Sequence, residues 1–104
     1  YLRTGQFPDG AAVIREIRSV ETSTLPGGQT SWAGDVESWY LMIKDREGRF
    51  GDHPAWGQGW GWARFKPDDS GQNLVEDYRQ DCLGCHVPAR KTDFVNIQGY
   101  PALR

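Results

Sequence analysis

Both cysteines of the chain fall in one five-residue string, Cys82-Leu83-Gly84-Cys85-His86. C-x-x-C-H is the attachment signature of c-type haem. Two thiols add to the two vinyl groups of the porphyrin, and the two-residue spacer matches the distance between those vinyls. The histidine follows at once, so its imidazole can swing over the ring and bind iron as the proximal ligand. Gly84 relieves crowding where the backbone would run against the ring. The motif therefore implies one haem c, held covalently through Cys82 and Cys85 with His86 on the iron. A domain built this way must fold around a large, flat, apolar group.

Three other chemistries use these residue types. A redox C-x-x-C of the thioredoxin kind expects a βαβ setting, and no parallel α/β pattern is visible. A closed structural zinc site needs four ligands; Cys82, Cys85, His86 and His53 would supply them, but three of the four crowd one turn. A Cys82–Cys85 disulfide would close a very small loop and add little. The haem reading places the protein in the periplasm or otherwise outside the cytoplasm, because haem is attached after export. Residues 1–30 contain no continuous apolar segment of the signal-peptide kind, so the chain reads as mature or trimmed. Tyr1-Leu2-Arg3-Thr4-Gly5 resembles the last turn of a helix running into a glycine stop, which implies residues upstream.

The length of 104 residues is that of one domain, here 1–104. Lys+Arg 12 against Asp+Glu 14 leaves a net charge of -2, which argues against a basic nucleic-acid surface. No apolar run approaches the roughly 20 residues of a membrane-spanning helix. Five tryptophans and 13 glycines fit either rings walling a flat ligand or an aromatic-rich β core.

The pattern before the motif is that of strands. Phe7-Pro8-Asp9-Gly10 is a turn signal. Ala11 to Val20 reads as a strand, Ser23 to Thr30 as a loop around Pro26-Gly27-Gly28, and Ser38 to Asp45 as a second strand. In the latter, Tyr40, Met42 and Lys44 share one face, and Trp39, Leu41 and Ile43 share the other. Arg46 to Gly59 is loop-like, Trp60 to Phe65 is a third strand with both tryptophans on one face, and Pro67 to Gly71 is a polar turn. Short helices are expected within Asn73–Gln80 and Val87–Val95, and Tyr100-Pro101 marks the tail. The fold class is mainly β (α+β): an antiparallel sheet with a few short helices packing one covalently bound haem c. Helical c-type cytochromes differ, carrying C-x-x-C-H near the N-terminus and a methionine ligand near the C-terminus.

Five segments, in order, carry a more specific resemblance. They are Thr4-Gly5-Gln6-Phe7-Pro8-Asp9-Gly10, Trp39-Tyr40-Leu41-Met42-Ile43-Lys44-Asp45, Trp56-Gly57-Gln58-Gly59-Trp60-Gly61-Trp62, Cys82-Leu83-Gly84-Cys85-His86 and Gln98-Gly99-Tyr100-Pro101. Together they resemble the cytochrome P-460 family, which includes cytochrome c′-beta. The resemblance implies an antiparallel β domain, a five-coordinate haem ligated by His86, an open distal side facing the sheet, and a homodimer. It also implies a test of activity. Members that oxidise hydroxylamine join a strand lysine covalently to the porphyrin, and Arg15 stands at the matching position here. Guanidinium is protonated at any ordinary pH and is a poor nucleophile, so hydroxylamine oxidation is disfavoured. Arg15 then reads as a solvated strand charge, a haem-propionate partner, or a cation in the distal pocket.

Candidate sixth ligands are weak. Met42 reads as core and His53 as a surface residue, while Lys44 and Lys91 would ligate only when neutral. Asp93 and Phe94 follow the motif closely. Family enzymes use a distal carboxylate for proton transfer, a role Asp93 could fill, and cytochrome c′-beta presents aromatic rings, a role Phe94 could fill. Trp60 and Trp62 line either the haem pocket or the core. Three functions remain: capture of a small gas such as NO or CO, oxidation of a hydroxylamine-like molecule, and electron transfer to a redox partner protein, as a free protein or as a subunit of a larger complex.

Overall fold

The computed structural model describes all 104 residues. Its frame is one four-stranded antiparallel sheet of order β1-β2-β4-β3, with β1 Ala12–Leu25, β2 Gly28–Lys44, β3 Trp56–Gly57 and β4 Trp60–Phe65. The third expected strand, Trp60 to Phe65, falls where the alternation put it. The other two are longer than expected. Residues 23–30, expected as a loop, are strand ends joined by a two-residue turn at Pro26-Gly27, with Leu25 paired to Gly28 and Thr24 to Gln29. Their polar composition hides the strand, because nearly every side chain there is exposed and cross-strand backbone bonds hold the ladder. Thr22 and Ser31 add a side-chain hydrogen bond of 2.9 Å across it.

Past Ile17 and Ser38, β1 and β2 pair only with each other. Register shifts around Arg18 mark where this two-stranded arm leaves the four-stranded body, as bulges do when they bend a strand. The molecule measures 56 × 34 × 21 Å, and its radius of gyration of 16.5 Å exceeds the roughly 13 Å usual for a chain of about 100 residues. The arm accounts for that length.

Register assigns the faces. Val13, Met42 and Trp62 lie in one cross-strand row, Lys44 pairs with Trp60, and Arg15, Tyr40 and Arg64 form the next row outward. This inner face carries the core: Phe7, Met42, Trp60, Trp62, Tyr78 and Val95 are all buried together. Trp62 stacks on Tyr78 with ring centroids 6.0 Å apart, and Phe7 meets Trp60 edge-on at 5.6 Å. Two glycines allow the layers to close. A Cβ on Gly57 would lie 2.1 Å from the Tyr78 hydroxyl, and one on Gly61 would lie 2.6 Å from the Trp56 ring. The opposite face presents Ile14, Leu41, Ile43 and Ala63, of which Ile14 is 60% exposed.

Two four-residue helices, α1 Tyr78–Asp81 and α2 Leu83–His86, cover the inner face, followed by a 3-10 stretch over Val87–Thr92. The helix expected from Asn73 starts only at Tyr78. Asn73 is the reason: its side-chain oxygen accepts from the Arg64 and Val75 amides while its amide donates to the Trp62 carbonyl. These bonds hold 73–75 extended beside β4. Asp77 then caps α1 by accepting from the Arg79 amide at 3.0 Å.

The turn at Phe7–Gly10 is tied to the loop after β2. Asp9 accepts from the Arg46 amide at 2.9 Å and from the Arg49 guanidinium at 3.0 and 2.6 Å. The Arg49 hydrogen bond, then the Arg46 amide, pull the Asp9 carboxyl down to about 2. Because the folded value lies below the unfolded one, the stabilisation is full above the ordinary carboxylate value and lost as pH falls through the folded value. An NMR titration of Asp9 should therefore show a midpoint near 2. A midpoint at the ordinary value would mean the Arg49 pairing does not persist in solution.

Candidate haem site

The motif begins at the end of α1 and occupies α2. Cys82 closes α1, its amide donating to the Tyr78 carbonyl, and Tyr78 is buried on Trp62. The motif is thus anchored to the inner face by the ring four residues before it. Cys82 is half-buried, Cys85 is exposed, and the two thiols are not joined. A side chain at Gly84 would meet nothing within 4 Å, so the surface between the thiols is clear.

His86 is fixed more tightly than the cysteines. Its ring lies 5.0 Å from the Trp62 ring in an edge-to-face arrangement, and Nδ1 is 2.7 Å from the Phe94 carbonyl. A carbonyl oxygen only accepts, so Nδ1 carries a proton, and in the neutral ring Nε2 keeps its lone pair. That is the tautomer an iron-ligating imidazole needs, with its second nitrogen held by an acceptor. Two unjoined thiols, open space at Gly84 and this tautomer fit a haem c held by Cys82, Cys85 and His86.

The alternatives fit less well. Burial, with smaller contributions from Asp81 and Cys85, pushes the Cys82 thiol up to about 11, whereas redox-active C-x-x-C thiols are shifted down. No group of three His, Cys, Asp or Glu side chains converges as a metal-ion cluster. His53 is exposed, far along the loop before β3, with Nδ1 accepting from the Ala55 amide at 3.0 Å.

The remaining expected residues fall in different places. Arg15 is exposed on the inner face, opposite Tyr40, which in turn pairs with Arg64. This row lies outside the closed core, on the open part of the face. Trp60 is fully buried, and its indole donates to the Asp93 carbonyl at 3.0 Å; it is core. Met42 is also core, 7% exposed between Val13 and Trp62. Asp93 is buried, with one carboxylate oxygen on Lys44 Nζ at 2.7 Å and the other on the Phe7 amide at 2.8 Å. Phe94 is half-buried against the core, and its carbonyl meets His86 Nδ1.

The Lys44–Asp93 pair and the Phe94 carbonyl are absent from a reading of side chains along the sequence. One signal did exist for the pair. Lys44 alternates with Tyr40 and Met42 on the strand face that closes the core, and a lysine so placed requires a buried partner. The carbonyl has no residue-type signature.

An antiparallel sheet carrying a late C-x-x-C-H, with the histidine's Nδ1 held by a backbone carbonyl, fits a β-rich c-type cytochrome. A family model described as Cytochrome P460 matches residues 1–97, and the chain belongs to that family. Membership carries haem with it. No match is found among curated proteins. No helix is long and apolar enough to cross a membrane.

Proposed function

We propose that this is a monohaem c-type cytochrome with an open sixth iron position, serving small-gas capture (NO or CO), electron transfer, or both. In this reading Cys82 and Cys85 hold the haem through thioethers and His86 Nε2 is the proximal ligand. The haem supplies the redox and gas-binding chemistry; the chain sets its access, orientation and polarity.

The observation that carries the reading is that Met42 and Lys44 are engaged elsewhere and His53 lies in the loop before β3. Met42 is packed in the core, Lys44 is bonded to Asp93, and His53 is in an exposed loop with its Nδ1 accepting a hydrogen bond. Lys91 is exposed on the 3-10 stretch just past the motif. The half-buried Ile17 and the exposed Tyr40 lie on the inner face beyond the core, next to Val13 at the core's edge, an apolar lining with a polar margin. Such a surface admits diatomic gases more readily than charged molecules. Arg15 and Arg64 flank Tyr40 and would present positive charge to propionates or to a polar bound ligand. The exposed Cys85 leaves that end of the motif accessible to a partner protein, which supports electron transfer. Haem attachment follows export, so the protein would work outside the cytoplasm.

Hydroxylamine oxidation is the second reading. It is held back by Arg15, whose guanidinium cannot replace a cross-linking lysine amine at ordinary pH. The visible spectrum of the ferrous holoprotein, with and without CO or NO, separates the readings. We expect a broad high-spin spectrum that shifts on adding gas. A sharp low-spin spectrum indifferent to gas would leave only electron transfer. A strongly red-shifted ferrous Soret band would reveal a modified ring and restore the enzyme reading.

A further inference from the structure

The chain spends a buried charge pair on a turn that the proposed chemistry does not itself use. Lys44 Nζ and Asp93 Oδ1 are 2.7 Å apart with both side chains 7% exposed. Burying two charges requires a close partner and further hydrogen bonds. Those are present: the second Asp93 oxygen takes the Phe7 amide, and Lys44 lies 5.0 Å from the centre of the Trp60 ring.

Asp93 and Phe94 are also two consecutive non-glycine residues in the left-handed region, with φ of 56° and 66°. Aspartate tolerates that conformation; a bulky ring such as phenylalanine rarely adopts it. Such backbone persists only where the surroundings over-determine it. Here they do. The Trp60 indole holds the Asp93 carbonyl at 3.0 Å, the Phe94 amide donates to the Ala89 carbonyl at 2.9 Å, and the Thr92 hydroxyl donates to the Val95 carbonyl at 2.7 Å. The product of this turn is the orientation of one group, the Phe94 carbonyl, which meets His86 Nδ1 at 2.7 Å.

We propose that the Lys44–Asp93 ion pair is the positioning element of the proximal histidine, pinning the left-handed Asp93–Phe94 turn so that the Phe94 carbonyl holds His86. This rests on the assignment of His86 as the iron ligand. Lys44 is the last residue of β2, so the sheet end that closes the core also sets the histidine. A well-aligned acceptor on Nδ1 makes the imidazole a stronger donor to iron, which favours the ferric state and lowers the reduction potential. Lys44 and Asp93 are positioning residues: they act on the iron only through the Phe94 carbonyl.

The test uses the ferrous holoprotein, its iron–histidine stretching band by resonance Raman, and its reduction potential. Lys44→Met removes the cation, and Asp93→Asn keeps the shape while removing the charge. Both should move the band to lower frequency and raise the potential. Lys44→Arg, which restores the charge, should return both toward wild type. If Lys44→Met does not fold, the isosteric Asp93→Asn decides alone. Variants that melt earlier with band and potential unchanged would overturn the proposal, leaving the pair a purely structural one. A His86→Ala spectrum identical to wild type would instead overturn the ligand assignment itself, so the two failures are distinguishable.

Discussion

Changing Cys82 and Cys85 together to serine should reduce covalently bound haem to background. The chain has only these two cysteines, so no other side chain can form a thioether. Haem staining of denatured protein on a gel and extraction into acidified organic solvent read the result directly. In wild type the haem should stay with the polypeptide through both treatments; in the double variant it should leave completely. Cys85→Ser alone should retain haem through Cys82, with an altered absorption spectrum reporting the one unreacted vinyl. The single variants also separate the two sites physically. Cys82 is half-buried at the junction of α1 and α2 and Cys85 is exposed, so loss of Cys82 should also loosen the contact with Leu83 and the core. Covalent haem that persists in the double variant would reveal an attachment other than the two thioethers, such as the side-chain cross-link of the hydroxylamine-oxidising reading.

Trp60→Ala should cost about 3–5 kcal/mol, the range for deleting a buried aromatic side chain. Trp60 is the one large side chain with no exposure at all. It packs against Phe7, lies under Lys44, and donates to the Asp93 carbonyl, so its removal opens a cavity and leaves a buried acceptor without its donor. For a chain of this size that loss corresponds to a fall in melting temperature of roughly 15–30 °C. Trp32, on the arm and 50% exposed, is the internal comparison: Trp32→Ala should change stability by less than about 0.5 kcal/mol, as surface substitutions usually do. Denaturant unfolding of the two holoprotein variants, followed by far-UV circular dichroism, gives both numbers. Equal costs would contradict the division into a packed body and a solvent-exposed arm.

The C-x-x-C-H motif was legible because it is local: five consecutive residues bring two thiols and an imidazole together at one short helix and its N-cap, whatever the rest of the chain does. The strand faces were legible for a similar reason. Alternation has a period of two, so Trp39 to Lys44 and Trp60 to Phe65 each sort their own side chains without help from a partner. The five ordered segments, read as a resemblance, pointed to the family that the match over residues 1–97 then showed. The arm was not legible in full, since its polar residues carry no burial signal and its length comes from cross-strand backbone bonds.

What the tertiary structure alone decided was where Asp93 and Phe94 act. The family resemblance offered them as a distal proton-transfer carboxylate and a distal aromatic ring. In the fold, Asp93 meets Lys44 across 49 positions of sequence and Phe94 offers its carbonyl to His86 across eight. Neither contact follows from local propensity. The first depends on how the turn after the motif docks on the end of β2, and the second is made by a backbone atom that every residue possesses. A sequence names the side chains a site can use; which backbone oxygen faces the histidine is settled only when distant segments pack and their hydrogen bonds leave the turn one conformation.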